Sequence, residues 1–192
     1  DIIARLTAML TEPLRATRPD RVQAASESDV GESHGNKMNQ IELAMILNDD
    51  ALTCTVSVQQ TLHDLLRDLG RAEMTAEACA DGSCCRCTVR LNEVSVCACH
   101  VLAVEAADQH VQTIQHFGSH PLVQQVRAIE GPCGRCLGAH AFAALDLLRE
   151  SPRPSLPRLR QRLVAIPCQC HLENYVLRAV SHGLAQAGEP HV

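Results

Sequence analysis

Residues 79–89 read Cys79-Ala80-Asp81-Gly82-Ser83-Cys84-Cys85-Arg86-Cys87-Thr88-Val89, a loop of closely spaced thiols running into a β-branched pair. Cys79, Cys84 and Cys87 lie within nine residues of one another, and Cys99 follows after eleven more. A second set stands further on, as Cys133-x2-Cys136-x31-Cys168-x-Cys170. Each set offers four thiolates, the number that one two-iron cluster takes.

The first spacing, C-x4-C-x2-C with a distant fourth cysteine, is that of plant-type [2Fe–2S] loops, whose potentials sit near about −400 mV. Such a loop has to wrap its metal closely. Gly82 supplies the backbone freedom for the sharp turn, and N–H groups left free in the loop can hydrogen-bond the sulfurs. The second set places Cys133 and Cys136 on one turn, and each of its pairs precedes a helical pattern. Its thiolates are therefore expected near two helix N-termini, where the helix dipole favours negative charge. Zinc is the alternative occupant of the second set, since C-x2-C is common in zinc sites, although C-x-C is tighter than the usual spacer. Cys85 and Cys97 lie one or two residues from proposed ligands and are alternative donors, with the spacing in favour of Cys84 and Cys99. Cys54 reads as a small core residue. None of the ten histidines is assigned to metal.

Composition narrows the field. The net charge of −5 gives no basic surface for nucleic acid, and Phe117, Phe142 and Tyr175, as the whole aromatic complement, leave no base-stacking platform. No apolar run has the length of a membrane span, and no secretory signal pattern opens the sequence. Eleven cysteines without an export signal point to metal binding in a reducing compartment, hence to the cytoplasm.

Around the thiol loop the pattern is that of a small α+β unit. Ile41, Leu43, Met45 and Leu47 alternate, as do Leu52, Cys54, Val56 and Val58, with Asn48-Asp49-Asp50 as the turn of a hairpin. Thr61-x-x-Asp64 caps a helix carrying Leu62, Leu65, Leu66 and Leu69, which Gly70 ends. Short strands are expected at 88–91, 94–97, 101–104 and 111–114, with Asn92-Glu93 between the first two. This order fits a β-grasp. Beyond Gly118 the period becomes helical, with stripes at Leu122/Val126/Ile129, Phe142/Leu145/Leu148, Leu156/Leu159/Leu163 and Val176/Val180/Leu184. Proline-rich breaks separate them, giving four helices of ten to fifteen residues in a bundle. The expected division is an extension at 1–37, a [2Fe–2S] ferredoxin-like domain at 38–117, a four-helix [2Fe–2S] domain at 118–186 and a tail at 187–192. The extension is polar from Arg15 and reads as flexible, with a docking helix over Ile2–Leu14 as the other reading.

The run 78–89 resembles the GCxxGxCGACTV loop of the iron–sulfur subunits of molybdenum hydroxylases, the xanthine dehydrogenase, aldehyde oxidoreductase and carbon monoxide dehydrogenase family. Val96-Cys97-Ala98-Cys99 through Val104, His120-Pro121-Leu122, Cys133-Gly134-Arg135-Cys136, Ser151-Pro152-Arg153-Pro154 and Cys168-Gln169-Cys170 through Val180 resemble further family segments in register. The resemblance covers roughly Met38 to Leu184. It implies a β-grasp ferredoxin domain ahead of a four-helix bundle, with two [2Fe–2S] clusters. By analogy Cys79, Cys84, Cys87 and Cys99 hold the flavin-proximal cluster, and Cys133, Cys136, Cys168 and Cys170 the molybdenum-proximal one. The implied partners are a molybdopterin-binding large subunit and an FAD-binding medium subunit, with this chain relaying electrons between them. It departs from the family at Pro132, where Gln contacts the pterin, at Cys85-Arg86, and at His171-Leu172-Glu173. Those departures keep open a freestanding two-cluster carrier, and beside it a zinc-stabilised interaction module.

Overall fold

The structure is a computed structural model and describes residues 39–70, 79, 81–128, 135–168 and 170–186. The expectations for the 1–37 extension, Pro132, Cys133, Ile129 and the tail lie outside the described residues.

The chain forms a mixed α/β structure. Strands β1 (Gln40–Leu47) and β2 (Asp50–Ser57) make the expected hairpin around Asn48 and Asp49. Asn48 takes a left-handed φ of 59°, which Asn tolerates better than most residues. Its side-chain oxygen then accepts from the Thr113 N–H (2.9 Å) and hydroxyl (3.2 Å). Leu43, Met45 and Leu47 point into the core along one face of β1. On β2, Leu52 and Cys54 are half-buried on the same face and Val56 is fully buried, as period-two alternation requires.

Helix α1 (Leu62–Asp68) starts at Thr61, whose hydroxyl accepts the Asp64 N–H at 3.1 Å, and lays Leu62, Leu65 and Leu66 on the sheet. Gly70, at φ 70°, lies just beyond its end. Strands β3 (Thr88–Leu91) and β4 (Val94–Cys97) pair antiparallel about Asn92-Glu93, both with positive φ, as a two-residue hairpin turn demands. Strand β5 (His110–Gln112) runs parallel to β1 and antiparallel to β3, so the sheet order is β2-β1-β5-β3-β4.

One expected strand is absent. Residues 101–104 are flanked and partly occupied by two 3-10 turns, Ala98–His100 and Ala103–Ala106. Their backbone is spent on the start of α1: Leu62 N–H donates to Val101 O (2.8 Å) and Ala103 N–H to Gln60 O (2.8 Å). With these groups committed to a bridge at Thr61 and Leu102, no ladder can form.

The second half contains α2 (Pro121–Arg127), α3 (Leu137–Glu150), α4 (Leu156–Val164) and α5 (Leu172–Gln186). Leu122, Val126, Phe142, Leu145, Leu148, Val176 and Val180 of the expected stripes are buried, but α2 and α4 are shorter than expected, at seven and nine residues. Leu159 and Leu163 are buried, whereas Leu156, at the first position of α4, is half exposed. Helix α3 is the central element, packed on α2, α4, α5 and β3. A Cβ at Gly138 would make ordinary van der Waals contact with Thr88 O at 3.5 Å, so the helix lies directly against the strand at this point. Arg90 of β3 lies almost fully buried between Phe117 and Phe142 (5.1 and 5.4 Å to the ring centroids) and pairs with Asp146 of α3.

Candidate metal centres

The loop before β3 forms around reciprocal backbone-to-sulfur hydrogen bonds. Cys79 N–H donates to Cys84 Sγ at 3.4 Å, Cys84 N–H to Cys79 Sγ at 3.2 Å, and Arg86 N–H to Cys84 Sγ at 3.5 Å. Asp81 turns the loop by accepting the Ser83 N–H (3.0 Å) and hydroxyl (2.7 Å). Hydrogen bonds from Cys79 and then Ser83 hold its carboxyl down at about 2. Gly82 has φ 77°, and a Cβ there would meet the His100 ring at 2.2 Å, so that imidazole packs directly on the loop backbone.

Cys87 is buried, and its Sγ lies 3.4 Å from that of Cys99 in the first 3-10 turn. The four expected donors thus meet as two pairs, 79 with 84 and 87 with 99. They do not close into one mutual group of thiols. Cys85 has a left-handed φ of 54°, and its Sγ lies 4.0 Å from Gly82 O. Its carbonyl accepts from the Thr88 N–H (3.2 Å) and hydroxyl (2.5 Å), and its thiol lies beside Cys97. Burial, followed by the neighbouring thiols, pushes Cys97 and Cys99 up to about 12. Crowded thiols of this kind resist ionisation until a cation neutralises the charge they would carry.

The second set meets where two helices begin. Cys136 caps α3 and is buried, while Cys168 and Cys170 immediately precede α5 with their sulfurs 3.2 Å apart. The three Sγ atoms lie within 4.8 Å of one another. Cys133 lies outside the described residues.

Sequence reading missed two neighbours of this set. His140 lies one helical turn after Cys136 and is completely buried, and a ring nitrogen of His140, Cys168 Sγ and a Glu173 carboxylate oxygen also lie within 4.8 Å of one another. The available signal was the i, i+4 spacing from Cys136, which puts both side chains on one helix face.

No disulfide joins the cysteines among the described residues. Paired thiols, N–H groups directed at sulfur and a glycine at the loop's tightest point fit an iron–sulfur cluster in the first half. Three converging thiols at helix starts fit one in the second.

No family model matches the chain. It is 29% identical over 138 residues to the nicotinate dehydrogenase small FeS subunit of Eubacterium barkeri, covering 69% of this chain and 88% of that one. Against the nicotine 6-hydroxylase small subunit of Paenarthrobacter nicotinovorans it is 23% identical over 154 residues, covering 78% and 93%. Among solved structures, a chain of quinoline 2-oxidoreductase from Pseudomonas putida 86 superposes with a TM-score of 0.67 at 22% identity, covering 78% of this chain and 96% of that chain. The chain is thus similar in sequence, along nearly the whole length of each, to two proteins named as small subunits of a nicotinate dehydrogenase and a nicotine 6-hydroxylase, and it shares the fold of a quinoline 2-oxidoreductase chain.

Proposed function

We propose that this chain is the electron-transfer subunit of a molybdenum-containing hydroxylase or dehydrogenase. In this reading residues 38–117 form a β-grasp, ferredoxin-like domain and residues 118–186 a four-helix domain, each holding one [2Fe–2S] cluster. Cys79, Cys84, Cys87 and Cys99 hold the first, and Cys133, Cys136, Cys168 and Cys170 the second. Bound there, the clusters supply one-electron steps between a molybdopterin centre on a large partner and FAD on a medium partner.

The carrying observation is that one chain gathers two separate sets of cysteines outside disulfides, one on a loop beside the sheet and one between helix starts. The protein's own part is placement. In the first half the loop N–H groups donate to thiolate sulfur, which stabilises negative charge and sets the potential. In the second the N-terminal ends of α3 and α5 serve the same purpose through their dipoles. The names of the two relatives, both small subunits, support assembly with larger chains.

The test is iron and acid-labile sulfide per chain on anaerobically purified protein, with electron paramagnetic resonance after dithionite reduction. About four irons, about four sulfides and two distinct S = 1/2 signals are expected. Cys99→Ser should remove one signal and Cys168→Ser the other. About two irons and a single signal would overturn the two-centre reading.

A further inference from the structure

Six cysteines fall between residues 79 and 99, and the cluster reading uses four of them. Cys85 and Cys97 are left over, and they are not scattered. Cys97 ends β4 opposite Thr88, the first residue of β3. Cys85 is folded back onto that same threonine, its carbonyl accepting from the Thr88 N–H (3.2 Å) and hydroxyl (2.5 Å). One residue therefore anchors both cysteines, and their thiols stand side by side. Cys85 also holds its left-handed φ of 54° without being a glycine, a conformation disfavoured for an L-residue, so backbone preference does not account for a cysteine there.

The pair is reachable. Both side chains are partly exposed, and both line one cavity of about 560 Å³ between β4 and α3. Ala139 and Ala143, one turn apart on α3, keep the facing wall low. A space of this size admits a small molecule. None of Cys79, Cys84, Cys87 and Cys99 lines it, so what enters meets the two spare thiols and not the proposed ligands.

We propose that Cys85 and Cys97 are a thiol–disulfide exchange site, separate from the metal ligands, which low-molecular-weight disulfides of the glutathione class oxidise to an intramolecular disulfide. One thiol gives its proton to solvent and attacks the small disulfide as a thiolate, forming a mixed disulfide and releasing one small thiolate, which takes up a proton. The second protein thiol, deprotonated in turn, displaces the other small thiolate and closes the Cys85–Cys97 bond. Two electrons pass from the protein sulfurs to the small disulfide, which leaves with two protons as two small thiols. The closed bond ties the end of the thiol loop to β4 without using a cluster ligand. The site rests on the reading that Cys84 and Cys99, rather than Cys85 and Cys97, hold the first cluster.

The test uses the full, iron-loaded chain, incubated anaerobically with oxidised glutathione, freed of it by gel filtration and then denatured in iodoacetamide. Fragment mass spectra should place one disulfide, between Cys85 and Cys97, that is absent after prior treatment with reduced glutathione. Before denaturation the iron content and the resonance signal that Cys99→Ser removes should be unchanged. This arm needs no variant. Cys85→Ser and Cys97→Ser should each abolish the link, leave the remaining thiol carrying glutathione, and keep that signal. No Cys85–Cys97 link with the signal intact, or glutathione found on the ligand cysteines with the iron lost, overturns the exchange site alone. Loss of the signal in Cys85→Ser or Cys97→Ser overturns it together with the ligand assignment on which it rests.

Discussion

Gly82 and the His100 ring meet so closely that any side chain added at 82 has to displace the ring. Alanine at 82 would have to hold a φ of 77°, which costs an L-residue about 1–2 kcal/mol, and its Cβ would displace the imidazole. Gly82→Ala should therefore lower the denaturant midpoint of the iron-loaded protein and bleach its visible absorbance, and adding His100→Ala should recover only the steric share. His120 makes a different prediction. Its Nδ1 accepts the Leu122 N–H at 3.2 Å, capping α2, while burial and then Arg90 press its pKa down to about 4. Above the unfolded value of about 6.5 both states are neutral there, so this histidine gives stability no slope. As pH falls from about 6.5 to about 4 the unfolded chain takes up a proton that the folded chain refuses, and up to about 3 kcal/mol is lost. Urea titrations across this range should show the decline, and His120→Asn, which keeps a capping side chain, should flatten it.

At the scale of elements, the join between sheet and helices is carried by Arg90, Asp146 and Ser95. The Ser95 hydroxyl reaches Asp146 at 2.5 Å, so one carboxylate ties β3 and β4 to α3. Removing it leaves a guanidinium enclosed by Phe117 and Phe142 with no counter-charge. Asp146→Ala should cost about 2–3 kcal/mol, less than a fully buried pair would because Asp146 keeps some solvent, and Asp146→Asn should cost less. Unfolding midpoints check both. Nothing in the sequence announced this pairing, since Arg90 and Asp146 are 56 residues apart and each falls on a pattern that reads as an ordinary solvated face. Local signals did better. The Asn48 hairpin, the Thr61 cap and the Asn92-Glu93 turn are decided by adjacent residues and were legible. The strand expected at 101–104 failed because β-branched residues there do satisfy strand propensity, while hydrogen bonds from Leu62 and Ala103 claim the backbone. Of the first four thiols, the structure brings 79 to 84 and 87 to 99, a pairing that spacing alone does not distinguish.

For the molecule as a whole, neither half is closed without the other. The Arg90 enclosure draws Phe117 from the linking segment and Phe142 from α3, so the sheet's inner face and the helical core share side chains. The sheet itself has an order of completion. Strand β1 ends at Leu47, but β5, the neighbour that separates it from β3, begins only at His110. On the ribosome the hairpin emerges first and keeps one edge unpaired while the whole thiol loop and the second hairpin are still being made. The thiol loop is therefore made before the strand that flanks its frame, and the inner edge of β1 finds its neighbour only once residues 110–112 have been synthesised.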